Sequence, residues 1–316
     1  MTAVAFPQRV RRIEFWADWA AAVGLVALVL VFAVIDPTFR TLGNVQAVLF
    51  AAAVPITLTV GQAFVVATAG IDLSVASSMT LGAVVAGQAY AAGLPIGVDI
   101  VLAIAASTAV GVVNGFVVAW GRITDFVVTL GALSGASGLA LVLSDGKPVT
   151  MPVPFLLELS TGSVGPFGYS VLVALAIAVV AHIVLFHRPF GVHLLATGGG
   201  KESARAMGVN VRRVKLAAYV ISGLLAGIAS ILLVARIGAA EPAANLKLLL
   251  NSVAAVVLGG VSLLGGRATI LGPVLGAILL TVLVNGLTLL GVSQFYQPVA
   301  VGVIVVAAAL FMRYQK

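Results

Sequence analysis

Long apolar runs separated by short polar breaks occupy almost the whole chain. They fill approximately Ala20–Ile35, Val45–Ala69, Leu73–Gly93, Ile96–Trp120, Ile123–Leu143, Phe167–Phe186, Lys215–Ala235, Leu246–Leu264, Thr269–Leu290 and Phe295–Met312. Most approach the roughly 20 residues a helix needs to cross about 30 Å of hydrocarbon. A β-barrel would show short alternating segments instead of continuous Leu/Val/Ala/Ile runs. The pattern predicts an all-α polytopic membrane protein of about ten transmembrane helices.

Composition agrees. The chain is 61% hydrophobic and 9% charged, with a mean hydropathy of +1.20, whereas soluble domains are about half apolar and a quarter charged. The 35 glycines would weaken soluble helices but let membrane helices approach closely. With no cysteine, disulfides, thiolate metal sites and Cys nucleophiles are excluded. His182, His187 and His193 cluster near one loop without carboxylates, so neither metal nor other cofactor is expected.

The net charge of +7 reads as membrane orientation, not nucleic-acid binding. Arg9, Arg11 and Arg12 flank the first span, which no small-residue cleavage site follows, so it reads as an uncleaved helix. With ten spans and the amino terminus inside, 13 of the 17 Lys and Arg residues fall inside. Arg40, Lys147, Arg236 and Lys247 fall outside. This positive-inside bias predicts that both termini are cytoplasmic. The expected organisation is a cytoplasmic tail at 1–19, an N-terminal membrane half at 20–186, a cytoplasmic loop at 187–215 and a C-terminal membrane half at 216–316. Residues 144–166, with four prolines, form a periplasmic loop.

In the inside loop, Lys201, Glu202, Ser203, Ala204, Arg205, Ala206 and Met207 read as one short helix, with Gly208 placed to terminate it. So short a helix is marginal alone in water and is expected to dock on something. The GGGKES stretch is not a phosphate loop, because Leu195 and Glu202 stand where Gly and Ser or Thr are required. The chain is therefore expected not to hydrolyse ATP itself.

One carboxylate needs its own account. Asp72, in GIDLS, is the only charged residue between Arg40 and Asp99, and it reads as the sole acid at possible membrane depth. A mid-bilayer carboxylate costs about 2.5–3.5 kcal/mol on insertion scales. It either starts a helix in headgroup water, or holds free amides where a helix breaks inside the bundle. Gly70 permits the chain reversal. A broken or re-entrant segment near 70–74 is favoured, with Gly70, Asp72 and Ser74 holding the fold of a pathway instead of contacting its solute.

Four stretches then combine in order: GIDLSVAS at 70–77, GRITDFVVTLGAL at 121–133, FGVHLLATGGGKESARAMGVNVRRVKLAAYVISGLLAGIA at 190–229, and SVAAVVLGGVSLLGGRATILGPVLGAILLTVLVNGLTLLGVSQFYQP at 252–298. Together, from about residue 20 to 316, they resemble the membrane permeases of ribose-type bacterial ABC importers, which serve ribose, xylose, galactose and autoinducer-2. The resemblance implies an inner-membrane subunit that pairs with a second copy of itself or a sister permease. It also implies a cytoplasmic ABC ATPase and a periplasmic sugar-binding protein as partners. The helix at Lys201–Met207 would be the coupling helix docking on the ATPase. The chain departs from the family at Ala76, usually Gly there, and at Leu249 and Asn251, where acids are frequent.

Gln62, Gln88, Asn114, Asn251, Asn285 and Gln297 are the polar residues available to a path. Neutral groups suit an uncharged polyol, whereas an amino acid would want fixed charges for both its ends; the same residues can equally glue helices together. Other readings are an ion-coupled secondary transporter, which the sparse intramembrane charge disfavours, and an ABC permease for a branched-chain amino acid or nucleoside. A membrane enzyme would need an acid–base pair or nucleophile that is not visible.

Overall fold

The computed structural model describes residues 8 to 313, with side chains from 21 to 306. Its helices are α1 (Gln8–Ile35), α2 (Leu42–Ala67), α3 (Val75–Ala91), α4 (Ile96–Trp120), α5 (Asp125–Ser144), α6 (Pro154–Thr161) and α7 (Tyr169–Phe186). There follow α8 (Pro189–Gly199), α9 (Lys201–Ala206), α10 (Val211–Ile237), α11 (Leu246–Leu258), α12 (Leu271–Leu289) and α13 (Gln297–Arg313). By length and composition α2, α4, α5, α7, α10 and α12 can each cross a membrane, and Ala21–Ile35, Leu246–Leu258 and Gln297–Val306 are shorter apolar helices.

Local chemistry sets several of the starts. The side chains of Thr41, Asn210 and Asn245 accept hydrogen bonds from the amides of Asn44, Arg213 and Leu248, at 3.3, 3.1 and 3.3 Å, capping α2, α10 and α11. Glycines with positive φ, such as Gly208 after α9 and Gly238 after α10, close the other ends.

Helices α2 and α10 form the centre, with most of their length buried, while α4, α5 and α7 bury only a minor part of theirs. The exposed residues of the peripheral helices are themselves apolar, among them Val113, Phe116, Phe126, Val142 and Val180. On a soluble protein such a surface would aggregate; in a bilayer it is the face that lipid solvates.

Glycine makes the central packing possible. A Cβ on Gly223 would stand 2.7 Å from the Ser107 carbonyl oxygen, and one on Gly227 would stand 2.6 Å from the Ile104 Cα. One on Gly115 would meet the Leu216 Cα at 3.0 Å. Helices α4 and α10 thus touch backbone to backbone.

The expected ranges shift in places. The stretch predicted as a span at Leu246–Leu264 ends its helix at Leu258, and 259–270 is irregular because Gly259, Gly260, Gly265 and Gly266 break the chain. The loop at 187–215 is mostly helical, and its last five residues belong to α10, continuing the helix that Asn210 caps. The loop at 144–166 contains α6 and short strands. Of these β1 (Val149–Thr150) pairs antiparallel with β4 (Ala239–Ala240), and β2 (Ser163–Val164) with β3 (Phe167–Gly168). Residues 1–7 of the expected amino-terminal tail, and 314–316 at the other end, lie outside the described residues.

The glycine contacts generate a paired expectation. Gly223→Val should markedly reduce folded protein recovered in detergent and lower its melting temperature, because the clash is with backbone. Gly131→Ala on α5, where a Cβ meets nothing within 4 Å, should leave both unchanged in a fluorescence-detected thermal unfolding assay.

Candidate functional site: the break between α2 and α3

Helix α2 ends at Ala67 and α3 begins at Val75, and the backbone between them is buried inside the bundle. A break there strips the chain of helical hydrogen bonds, which no lipid can replace. Side chains replace them. Asp72 Oδ1 accepts from the Ser74 amide at 2.9 Å and from the Ser74 hydroxyl at 2.7 Å. Asp72 Oδ2 accepts from the Ser222 hydroxyl of α10 at 2.7 Å. Ser74 Oγ in turn accepts from Asn114 Nδ2 of α4 at 2.8 Å. The Ile71 carbonyl accepts from the Tyr219 hydroxyl at 3.1 Å and from the Thr129 hydroxyl at 3.3 Å. Three helices, α4, α5 and α10, therefore converge on one pentapeptide, and Asp72 is only 2% exposed.

Beside this knot lies an ion pair. Lys215 Nζ of α10 donates to both carboxylate oxygens of Asp125, the first residue of α5, at 3.0 and 3.2 Å. Both side chains of this salt bridge are largely withdrawn from solvent. Gly70 is wedged against it: a Cβ there would stand 2.5 Å from Asp125 Oδ2 and 3.1 Å from the Tyr219 hydroxyl. Any larger residue at 70 would push the break off its supports.

Two further turns meet at the same end. The Gly266 amide donates to the Ala67 carbonyl at 3.1 Å. A Cβ on Gly265, whose φ is +79°, would lie 2.7 Å from the Ala69 amide nitrogen. Gly198, near the end of α8, presses so closely on the Ala67 carbonyl that no Cβ could be placed. The end of α2 is thus clamped between the α8–α9 segment and the α11–α12 turn.

Helix α9 follows directly from α8. Ala204 is fully buried, whereas Lys201, Glu202, Arg205, Ala206 and Met207 are exposed. Gly208, at φ +83°, ends it, with its amide donating to the Arg205 carbonyl at 2.9 Å. The helix spans six residues, and Met207 is its C-cap. It presents charge and one large exposed apolar side chain on a mount with a buried foot.

The polar residues singled out for a path are scattered. Asn114 joins the knot. Gln62 is fully buried in α2, and neither its side-chain oxygen nor its nitrogen has a partner. Gln88 is half-buried on α3. Asn285 exchanges reciprocal hydrogen bonds with Asn44, at 3.1 and 2.9 Å, which ties α12 to the start of α2. Gln297 donates to the Thr288 hydroxyl at 3.1 Å. Asn251 and Asn285 share the wall of a cavity at the opposite end of the bundle from the break.

Two other acids are also withdrawn from solvent. Asp99 in α4 is fully buried without a hydrogen-bond partner for either oxygen, and Asp125 is paired within the bundle. Both lie close to predicted span ends, where they read as interfacial. Lys215, Tyr219 and Ser222 also belong to this site, though the sequence does not single them out as site residues. Their i, i+4, i+7 spacing puts them on one face of α10, a polar stripe in an otherwise apolar helix and the available signal.

Two outcomes follow for this site. Asp72→Ala should sharply lower the folded protein in membranes, since it strands two serine hydroxyls and an amide in a dry site. Asp72→Asn should be milder because its amide oxygen still accepts; quantitative immunoblotting of membranes checks both. Lys215→Met alone should destabilise by roughly 3 kcal/mol, as expected when one partner of a buried ion pair is removed. Adding Asp125→Leu should recover much of that loss, read as the shift in denaturant midpoint.

No solved structure resembles the chain closely enough to register as a match. Among curated proteins it is 35% identical over 292 residues to a ribose import permease protein of Escherichia coli K12, covering 91% of this chain and 91% of the relative. It is 34% identical over 280 residues to an L-arabinose ABC transporter permease protein of Azospirillum brasilense, covering 89% and 83%. It is 30% identical over 301 residues to a D-allose transport system permease protein of E. coli K12, covering 95% and 92%. The family described as branched-chain amino acid transport system / permease component matches residues 44–311. A break in a central membrane helix, sealed by side chains from its neighbours, thus sits in a chain that belongs to that permease family.

Proposed function

We propose that this chain is the membrane-spanning permease subunit of an ATP-binding-cassette importer. It forms the path for a monosaccharide or similar polyol delivered by a periplasmic binding protein. The observation that carries this reading is the similarity to sugar permeases along nearly the full length of both chains. The neutral character of the candidate path residues supports it, because a zwitterionic solute would call for paired fixed charges.

In this reading ATP is hydrolysed by a separate cytoplasmic subunit that docks on α9. The exposed residues are Lys201, Glu202, Arg205, Ala206 and Met207, while buried Ala204 and the turn at Gly208 fix the helix to its mount. A push on α9 travels through α8 to the contact of Gly198 with the end of α2, and so to the break at Gly70–Ser74. The lever is short because only Gly200 separates α8 from α9. The functional unit contains two permeases, either two copies of this chain or this chain with a sister subunit, in the bacterial inner membrane among its lipids. Ten spans, α1 to α5, α7 and α10 to α13, put both termini and α9 in the cytoplasm and 144–166 in the periplasm.

Three measurements bear on this. ATP-dependent sugar uptake into vesicles that persists with an ionophore is expected, and its collapse with the ionophore would favour an ion-coupled carrier. A reporter after residue 316 should report cytoplasm, and one at Gly146 periplasm. Ala206→Glu should leave expression and permease pairing intact, since the residue is exposed and surface changes shift stability by about 0.5 kcal/mol or less. It should abolish co-purification of the ATPase and transport together, because a few buried contacts dominate such interfaces. A fully active complex in that variant would remove the coupling role from α9.

A further inference from the structure

At the end of the bundle opposite the break, α2, α11 and α12 enclose a cavity of about 340 Å³ together with the last turn of α10. Its volume is at the small end for ligand sites, which start near 300 Å³. Five polar side chains line it: Arg236, Asn251, Thr281, Asn285 and Thr288. Arg236 also borders a smaller cavity, of about 180 Å³, on the other side of α2.

The hydrogen-bonding capacity of this cavity is incomplete. Arg236 carries five N–H donors, yet among the described residues it has neither an ion-pair nor a hydrogen-bond partner, and the side chain of Asn251 has none either. The hydroxyls of Thr281 and Thr288 donate to their own helix, at the carbonyls of Ala277 and Val284; Thr281 can still accept, while Thr288 already accepts from Gln297 and has one lone pair left. The backbone adds an acceptor that lacks its usual i+4 partner. Pro55 lies inside α2 and has no N–H to donate, so the carbonyl of Ala51 loses its helical donor. Ala51 and Pro55 both line the cavity.

We infer that this cavity is the receiving site for the polyol on its way from the binding protein into the membrane path, with Arg236 as the anchoring residue. This rests on the functional reading above and goes beyond it by assigning the site. A sugar presents adjacent hydroxyls that both donate and accept. The rigid guanidinium fork donates to two of them at once, while the Ala51 carbonyl and the threonine hydroxyls accept from others. One cation with neutral amides and hydroxyls matches an uncharged polyol. With no aromatic platform among its lining residues, the site would hold its solute weakly, as a path must.

The absence of native cysteine makes the test direct. In the assembled importer, with ATPase and binding protein, Ala47→Cys and Ala51→Cys place thiols on the α2 wall of the cavity. Leu94→Cys, in the exposed turn before α4, is the control. A charged, membrane-impermeant thiol reagent is applied from outside, with and without ribose, L-arabinose or D-allose. The imported sugar should slow labelling several-fold at positions 47 and 51 and leave position 94 unchanged. Adding Arg236→Gln should raise the sugar concentration for half-protection roughly tenfold, the loss of one charge-assisted hydrogen bond, and Arg236→Lys should raise it less. A merely structural arginine, meeting the negative end of the α10 dipole, would not move protection. Import by the cysteine variants without protection at 47 and 51 would overturn the site alone, and protection indifferent to Arg236→Gln would overturn the anchor. If the parent importer moves no monosaccharide from a panel that includes these three, the functional reading fails, and the occupant with it.

Discussion

The three hydrogen bonds accepted by the Asp72 carboxylate are the constraint on which the rest depends. A helix interrupted inside a bundle exposes amides and carbonyls to a region where water cannot serve them, and each unmet group costs on the order of 1–3 kcal/mol. Asp72 gathers Ser74 from its own strand of the break and Ser222 from α10. Tyr219 and Thr129 satisfy the Ile71 carbonyl. Because those donors sit on different helices, closing the break also fixes how α4, α5 and α10 stand around it.

Glycine supplies the complementary condition. Side-chain hydrogen bonds reach across about 3 Å only if the backbones are close, and α4 and α10 touch through Gly115, Gly223 and Gly227. The same holds at the clamp, where Gly198 and Gly265 admit the end of α2 with no room for a methyl group. Polar satisfaction and close approach are one device here: neither is possible without the other.

The two ends of the molecule divide their work. One is tied down, with an ion pair, a polar knot and three interlocking turns. The other holds a cavity whose arginine and Asn251 have no protein partners. Under the proposed function the first end would transmit force without slack, and the second would keep hydrogen bonds unspent for the solute.

The sequence by itself determined the membrane class, the positions of most spans, the short α9 with its terminating glycine, and the presence of a break at GIDLS. Those features are written in local composition: apolar run length, Gly placement, and a lone carboxylate in an apolar stretch. What the sequence left open needed the third dimension. That Asp72 reaches Ser222, 150 residues away, follows from how α10 lies against the break, and no spacing rule encodes it. Lys215 reads as a loop cation until α10 is seen to start at Val211 and to carry it towards Asp125. Asn114, Asn251 and Asn285 look alike as isolated polar residues in apolar spans. Only packing sends the first into the knot and the other two to a cavity wall, because a helix fixes the direction of each side chain but not which neighbour stands there.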